Sequence, residues 1–213
     1  LVDLRSTCEW VGAHGGDLVS VLPLLPTFNE APIEPSPYSP VSRLFWSELI
    51  LDLGAAHRSA EAQDLLQIEQ ADAEVRSALA GWVAPDPESV PDELARYARF
   101  RAAQRRLGRD WRSWPRQQRG GTLGAHDIDP DEERFHLVAQ LEAGRQLADL
   151  RHHLGHNGQR LGLDLAVGVH PDGYDVWSRP GLFAEGMAVG APPDAGFPSG
   201  QSWGFPPVLP ERS

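Results

Sequence analysis

The side chains best suited to chemistry in this chain are scattered, and each sits in a setting that restrains it. Asp164 lies inside an otherwise apolar run from Leu161 to Val169. A carboxylate is costly to bury unpaired, so it must face something polar. Tyr38 stands in the word Pro35-Ser36-Pro37-Tyr38-Ser39-Pro40. Proline fixes its own φ and pushes the residue before it toward extended geometry, so this tyrosine is held stiffly. An aromatic ring stacks on the apolar face of a sugar while its hydroxyl stays free to hydrogen-bond; the plainer alternative is a surface tyrosine packing its own loop. Gln201 and Trp203 sit in Gly200-Gln201-Ser202-Trp203-Gly204. There an amide that donates and accepts is paired with an indole able to cover a ring, and the flanking glycines let the backbone approach a ligand.

Other reactive types read as structural. Asp172 and Asp175 occur in His170-Pro171-Asp172-Gly173-Tyr174-Asp175-Val176-Trp177, a turn-rich stretch where short acids cap backbone amides, and Trp177 reads as packing. His152, His153 and His156 include an i, i+4 pair, but neither a third ligand nor an H-E-x-x-H word accompanies them. We read them as a solvated helix face and expect no metal site. His126-Asp127 lies in a loop and is assigned no catalytic role.

These residues need elements to position them. Leu1, Leu4, Cys8 and Val11 are spaced for a helix that ends at Gly12 to Gly16, and residues 17 to 25 (DLVSVLPLL) form a β-branched, leucine-rich run read as a buried strand. A Pro-rich crossover follows over 27 to 40. Helical periods run over 58 to 82 through Leu65, Leu66, Ile68, Val75 and Leu79, and over 92 to 108 through Leu94, Tyr97 and Phe100, with arginine-rich outer faces. A long helix over 131 to 155 shows Phe135, Val138, Leu141, Leu147, Leu150 and Leu154 on its apolar side. It feeds the run at 161 to 169, read as a strand covered on both faces. Helix, turn and buried strand in succession are the unit of a parallel α/β fold.

Composition excludes several partners. Thirty acidic against nineteen basic residues give a net charge of −11, a poor match for nucleic acid. No run of about 18 apolar residues is present, so no membrane partner is expected. The single cysteine, Cys8, forms no internal disulfide and suits a reducing, cytoplasmic setting. Oligomeric state is not legible.

The words GLDLAVGVHPDGYDVWSRPGLF, GAPPD and GQSWGFPP, together with SPY at 36 to 38 and YARFRAAQRRLGRDWRSWP at 97 to 115, resemble the amylomaltases, the 4-α-glucanotransferases of glycoside hydrolase family 77. The resemblance implies an α/β fold: part of a (β/α)8 TIM barrel with an inserted α-helical subdomain, truncated at both ends. Its segments would be 1–57 (early barrel helix, strand and substrate loop), 58–128 (helical insertion) and 129–213 (barrel helix, strand and glucan-binding loop). It implies substrate contacts by Tyr38, Asp164, Gln201 and Trp203, a maltodextrin or other α-1,4-glucan as partner, and no cofactor. The family's nucleophile lies in an R-x-D-H word and its acid in an E-D-x-G word; neither occurs in these 213 residues. No catalytic residue is therefore expected within this chain. A glucan-binding or scaffolding protein without catalysis is the alternative.

Overall fold

The computed structural model of the chain describes residues 1–54 and 67–210. Leu65 and Leu66 lie outside the described residues. The order of the main elements is α1 (Val2–Ala13), β1 (Leu18–Val21), α2 (Ile68–Leu79), α3 (Asp92–Leu107), α4 (Arg116–Arg119), α5 (Pro130–His156), β2 (Arg160–Leu163), α6 (Tyr174–Ser178), β3 (Gly190–Ala191) and β4 (Gln201–Ser202). Short 3-10 turns at Glu48–Ile50, Pro87–Ser89 and Trp111–Ser113 punctuate the connections.

α5 is the axis of the molecule, about 40 Å long at 1.5 Å per residue. Its start is specified locally. Asp129 accepts from the amides of Asp131 and Glu132, Pro130 takes the first turn where no amide is needed, and three acids meet the positive helix end. Along its length α5 changes partners. Phe135, Val138, Ala139 and Ala143 pack with Val75 and Leu79 of α2 and with Leu51, whereas Leu150 and Leu154 pack with Cys8 of α1 beside Val19 and Leu161. Because no single surface covers the whole helix, the apolar stripe expected from the period does not hold: Leu141 is 41% exposed and Leu147 is half-buried.

A third cluster, half of it aromatic, fills the space between α3, α5 and α6. Phe45 stacks on Tyr97 with centroids 4.0 Å apart, Tyr97 meets Tyr174 edge-on at 5.5 Å, and Phe100 touches Trp177 at 4.9 Å. Such pairs add to the area they bury. Beside them runs a buried polar chain. The Asn29 amide donates to Glu48 at 3.1 Å and to Asp72 at 3.0 Å; Arg76 bridges Asp72 at 2.5 Å and Glu132 at 2.7 Å; Arg101 lies 4.0 Å from Glu48. Arg101, only 9% exposed, departs from the expected arginine-rich outer face of α3. Buried charges persist only where opposite charges and hydrogen bonds meet them, which this chain provides except at Glu48 Oε2, left without a hydrogen bond.

β1 and β2 pair in parallel, Leu18 opposite Arg160 through Val21 opposite Leu163, with α5 inside the connection between them. Both strands are shorter than the runs at 17–25 and 161–169, and neither is covered on both faces. Val19 and Leu161 turn toward α1 and α5, while Leu18, Leu22, Leu163, Leu165 and Val167 are 40–70% open. The expectation of buried strands is corrected on this point. Apolar runs report the capacity for burial, but burial itself needs a partner layer, and the described residues supply one to a single face of this sheet.

Candidate functional site

The site is built where the Pro-rich crossover meets the chain leaving β2. Ser36 and Ser39 close a turn through the Ser39 amide and the Ser36 carbonyl at 3.2 Å, and the Ser36 hydroxyl accepts from the Tyr38 amide at 3.3 Å. The Ser36 amide is itself held by Glu34 at 3.0 Å. Tyr38 is thus fixed at the tip of a turn, 38% exposed.

The end of that turn is stitched to the segment after β2. The His170 amide donates to the Pro40 carbonyl at 2.8 Å and the Tyr174 amide to the Val41 carbonyl at 2.8 Å. Asp175 accepts from the Ser42 hydroxyl at 2.6 Å and the Arg43 amide at 2.9 Å. Gly173 is required here, since a Cβ would sit 2.4 Å from the Val41 carbonyl oxygen. Asp175 is therefore a buried brace, as its turn context implies, and Trp177 is packed in the aromatic cluster with its indole N–H on the Gln118 carbonyl at 2.8 Å. Asp172 pairs with Arg112 at 2.9 Å.

This stitching delivers Tyr38 onto Asp164. The Asp164 amide donates to the Val21 carbonyl at 3.1 Å, prolonging the ladder by one rung, and the chain then departs from the strand. Its Oδ1 accepts from the Leu165 amide at 2.9 Å, and its Oδ2 accepts the Tyr38 hydroxyl at 2.6 Å. The two residues are 126 apart in sequence. That hydrogen bond, with the carboxylate's negative charge behind it, holds the Tyr38 phenol above the usual tyrosine range. Asp164 is polar-satisfied at the rim of an open hollow of about 810 Å³ over the uncovered sheet face, lined by residues 20–24 and 162–164.

Gln201 and Trp203 occupy a second piece. β3 and β4 pair antiparallel, Gly190 opposite Ser202 and Ala191 opposite Gln201. A Cβ at Gly190 would lie 1.9 Å from the Gln201 carbonyl oxygen, which sets the close approach of the two strands. The turn is organised by Asp194, whose Oδ1 accepts from the Gly196 and Phe197 amides at 2.8 and 2.7 Å. Past β4 the ribbon continues through the Trp203 amide on the Val189 carbonyl and the Val189 amide on the Phe205 carbonyl, each at 2.9 Å. The Trp203 indole N–H reaches Gln201 Oε1 at 3.3 Å, and the ring is 46% exposed. Phe205 pins the base of this flap by packing on Gly168, where any Cβ would collide with its ring.

The structure therefore brings Tyr38 to Asp164 and Gln201 to Trp203, and anchors the second pair four residues beyond Asp164. No hydrogen bond or ring contact joins the two pairs among the described residues. His170, which the sequence did not single out, sits beneath the turn: its Nδ1 accepts from the Asp172 amide at 3.0 Å, and Nε2 lies 4.0 Å from Glu34. Burial and the nearby Arg109 push its pKa down to about 4, so it stays neutral. Its place in a His-Pro-Asp-Gly turn was the available signal.

The three histidines in the last turns of α5 behave as a solvated face, unlike buried His136. His152 and His156 meet ring to ring at 4.2 Å and His153 pairs with Glu9 at 2.9 Å. Among the described residues no three His, Cys, Asp or Glu side chains gather to hold a metal. Asp127 is a turn brace, accepting from the Gly124 amide at 2.8 Å and from Gln118 at 2.9 Å. No described helix is long and apolar enough to cross a membrane.

Comparison with known proteins agrees with the architecture and with the sequence words. The 4-alpha-glucanotransferase of Mycobacterium tuberculosis strain H37Rv is 34% identical over 258 residues, an alignment covering 100% of this chain and 35% of that protein. That of Haemophilus influenzae is 30% identical over 125 residues, 55% of this chain and 18% of the relative. Among solved structures, amylomaltase from Corynebacterium glutamicum superposes with a TM-score of 0.73 at 24% identity, covering 99% of this chain and 33% of that one. Amylomaltase from Streptococcus agalactiae in complex with acarbose gives 0.65 at 17% identity, covering 95% of this chain and 48% of that one. The chain thus spans about a third of the mycobacterial relative's length. The family model described as 4-alpha-glucanotransferase matches residues 1–83 and 88–213, and on that match the chain belongs to the 4-alpha-glucanotransferase family.

Proposed function

We propose that this chain forms one wall of the glucan-binding cleft of a 4-α-glucanotransferase that moves α-1,4-glucan segments between maltodextrins. Tyr38 and Asp164 present an aromatic face and a carboxylate to one stretch of saccharide, and Gln201 and Trp203 close over it from the flap. The observation that carries this is the 2.6 Å hydrogen bond between Tyr38 and Asp164. It spends none of the phenol's ring face and leaves carboxylate lone pairs for sugar hydroxyls, the donor and acceptor pattern that carbohydrate recognition uses.

The parallel pair β1 and β2, joined through α5, is two adjacent strands of a (β/α)8 barrel in this reading, with the segment 58–128, which holds α2 to α4, as its insertion. Loops after the carboxyl ends of barrel strands carry the site, which is where Tyr38 and Asp164 stand. In the whole protein a carboxylate attacks the anomeric carbon while an acid protonates the departing glycosidic oxygen. The hydroxyl of a second glucan then displaces the enzyme carboxylate and passes its proton to the carboxylate left by the acid, restoring that acid and retaining configuration. Both reacting carboxylates belong to the remaining length of the relatives, so this chain binds and orients, and by itself it transfers nothing.

The test is maltotriose incubated with the full-length protein that carries this chain. Transfer yields glucose together with maltotetraose and longer products. Glucose and maltose in equal amounts, with nothing longer, would mark a hydrolase and end the transferase reading. Trp203→Ala in the same protein is expected to weaken maltoheptaose binding by about 1 to 3 kcal/mol in calorimetry, the range for truncating an aromatic anchor. Unchanged affinity removes the flap from the site.

A further inference from the structure

A cavity lies away from Tyr38 and Asp164, on the side of the flap where Gly204 and Pro206 emerge. It encloses about 830 Å³ between the Trp111–Gly120 stretch and the chain from Val176 to Met187. Its charge runs against the rest of the molecule. In a chain with net charge −11, four arginines, Arg112, Arg116, Arg119 and Arg179, line this hollow against one acid, Glu185.

Two of the four are already tied to carboxylates. Arg112 pairs with Asp172 at 2.9 Å and also donates to the Pro171 carbonyl at 3.0 Å, and Arg179 pairs with Glu93 at 3.2 Å. Arg116 and Arg119 have no carboxylate partner among the described residues. Arg119 only touches the Arg112 carbonyl, at 3.4 Å, which leaves the rest of its donor fork free. Holding Arg116 and Arg119 beside two further arginines without a carboxylate partner of their own costs free energy. Planar guanidinium forks match the oxygens of a tetrahedral oxyanion and bind them two at a time. A bare phosphate fills a small part of such a volume, and half-buried Trp111 on the cavity wall offers an apolar surface beside the charges.

We propose that this hollow is a binding site for a phosphate group, held chiefly by Arg116 and Arg119, with Arg112 and Arg179 raising the local potential. The phosphate comes either free or as a monoester on a sugar. This site is separate from the glucan contacts and does not rest on them.

Calorimetry on the protein at low ionic strength with three probes decides the matter: glucose 1-phosphate, inorganic phosphate and glucose. Binding of glucose 1-phosphate is expected with no measurable binding of glucose. Arg116→Gln and Arg119→Gln are each expected to weaken it about ten-fold, as loss of a charge-assisted hydrogen bond does. Affinity for inorganic phosphate well below that for the ester assigns the ester as the source, and equal affinity assigns the free anion. Arg116→Lys and Arg119→Lys, which keep the charge and lose the fork, should fall between wild type and the glutamine variants. Far-UV circular dichroism establishes that each variant is folded. The proposal is overturned if neither phosphate binds, if glucose binds as well as its phosphate, or if the folded Arg116→Gln/Arg119→Gln double variant binds undiminished. Maltodextrin titrations are read separately, so failure here leaves the glucan reading standing.

Discussion

Two regions of this molecule solve opposite problems. Between α3, α5 and α6 everything is closed: Tyr97, Phe100 and Tyr174 are fully buried, and the charges beside them end on one another. Over the open face of β1 and β2 almost nothing is closed, since leucines face outward and the hydrogen bond from Tyr38 to Asp164 stands in solvent reach. Yet the open region is held in place at the end proposed to meet glucan, because the crossover turn is sewn to the segment after β2 by the bonds at 40–43 and 170–175. Buried packing is concentrated in the first region and the proposed glucan contacts in the second. The seam at Gly173 transmits one to the other.

The largest expected effect breaks the closed side. Phe100→Ala removes a ring in contact with Trp114, Tyr174 and Trp177, and should cost about 3 to 5 kcal/mol by urea denaturation, as large-to-small core changes do. Leu165→Ser, on the open face, should change the same midpoint by less than about 0.5 kcal/mol. Comparable losses from the two would abolish the contrast.

Next comes the polar chain. Glu132→Ala takes away the 2.7 Å partner of Arg76 and leaves Asp72 as its near counterion, and should cost about 1.5 to 3 kcal/mol near neutral pH, the range for a hydrogen bond to a charged group. Its pH dependence has a definite sign. Burial alone would raise the Glu132 pKa, but His136 at 3.3 Å and Arg76 outweigh burial and hold the carboxyl well below its ordinary 4.5. A depressed acid contributes stability above its unfolded pKa and loses it as pH falls. The gap between wild type and Glu132→Ala should therefore narrow below about pH 4.5. Burial, then Arg101, depresses His136 from 6.5, so its neutral form is favoured in the fold and an earlier loss begins as pH drops past 6.5. Urea midpoints at several pH values from 7 to 4 check both legs.

The seam itself is tested by Gly173→Ala. The added methyl meets the Val41 carbonyl oxygen and must push the two segments apart, at about 1 to 3 kcal/mol. Since Tyr38 reaches Asp164 through that junction, maltodextrin affinity should fall with it. A loss of stability without a loss of affinity would show that the turn positions Tyr38 unaided.

How much of this was legible depends on the kind of signal. α1, α3 and α5 follow from period, proline and capping residues, all local. The polar chain was not legible, because Asp72, Arg76, Arg101 and Glu132 look like helix-surface charges until helices from distant segments enclose them. Glu48, inside the apolar stretch FWSELILDL, was a hint. The sheet's open face was misjudged for the converse reason, since β-branched and leucine-rich runs look the same with or without a covering layer. Tyr38 and Asp164 were each visible, one by its prolines and one by its apolar neighbours. Their meeting across 126 residues was carried only by the family words.

The smallest expected effect isolates that meeting. Of the chain's three tyrosines, Tyr97 and Tyr174 are raised far above the ordinary range, chiefly by burial, whereas the shift at Tyr38 comes first from its hydrogen bond to Asp164. An ultraviolet titration should then show one tyrosine ionising before the other two. Asp164→Asn removes the negative charge that opposes the phenolate, so only that first step should move to lower pH. Stability should be unaltered, since both partners are exposed and water replaces what is lost. If the first step stays in place, the tyrosine and the carboxylate do not share a proton in solution, and the open region holds two separate surface groups where we have placed one sugar-binding pair.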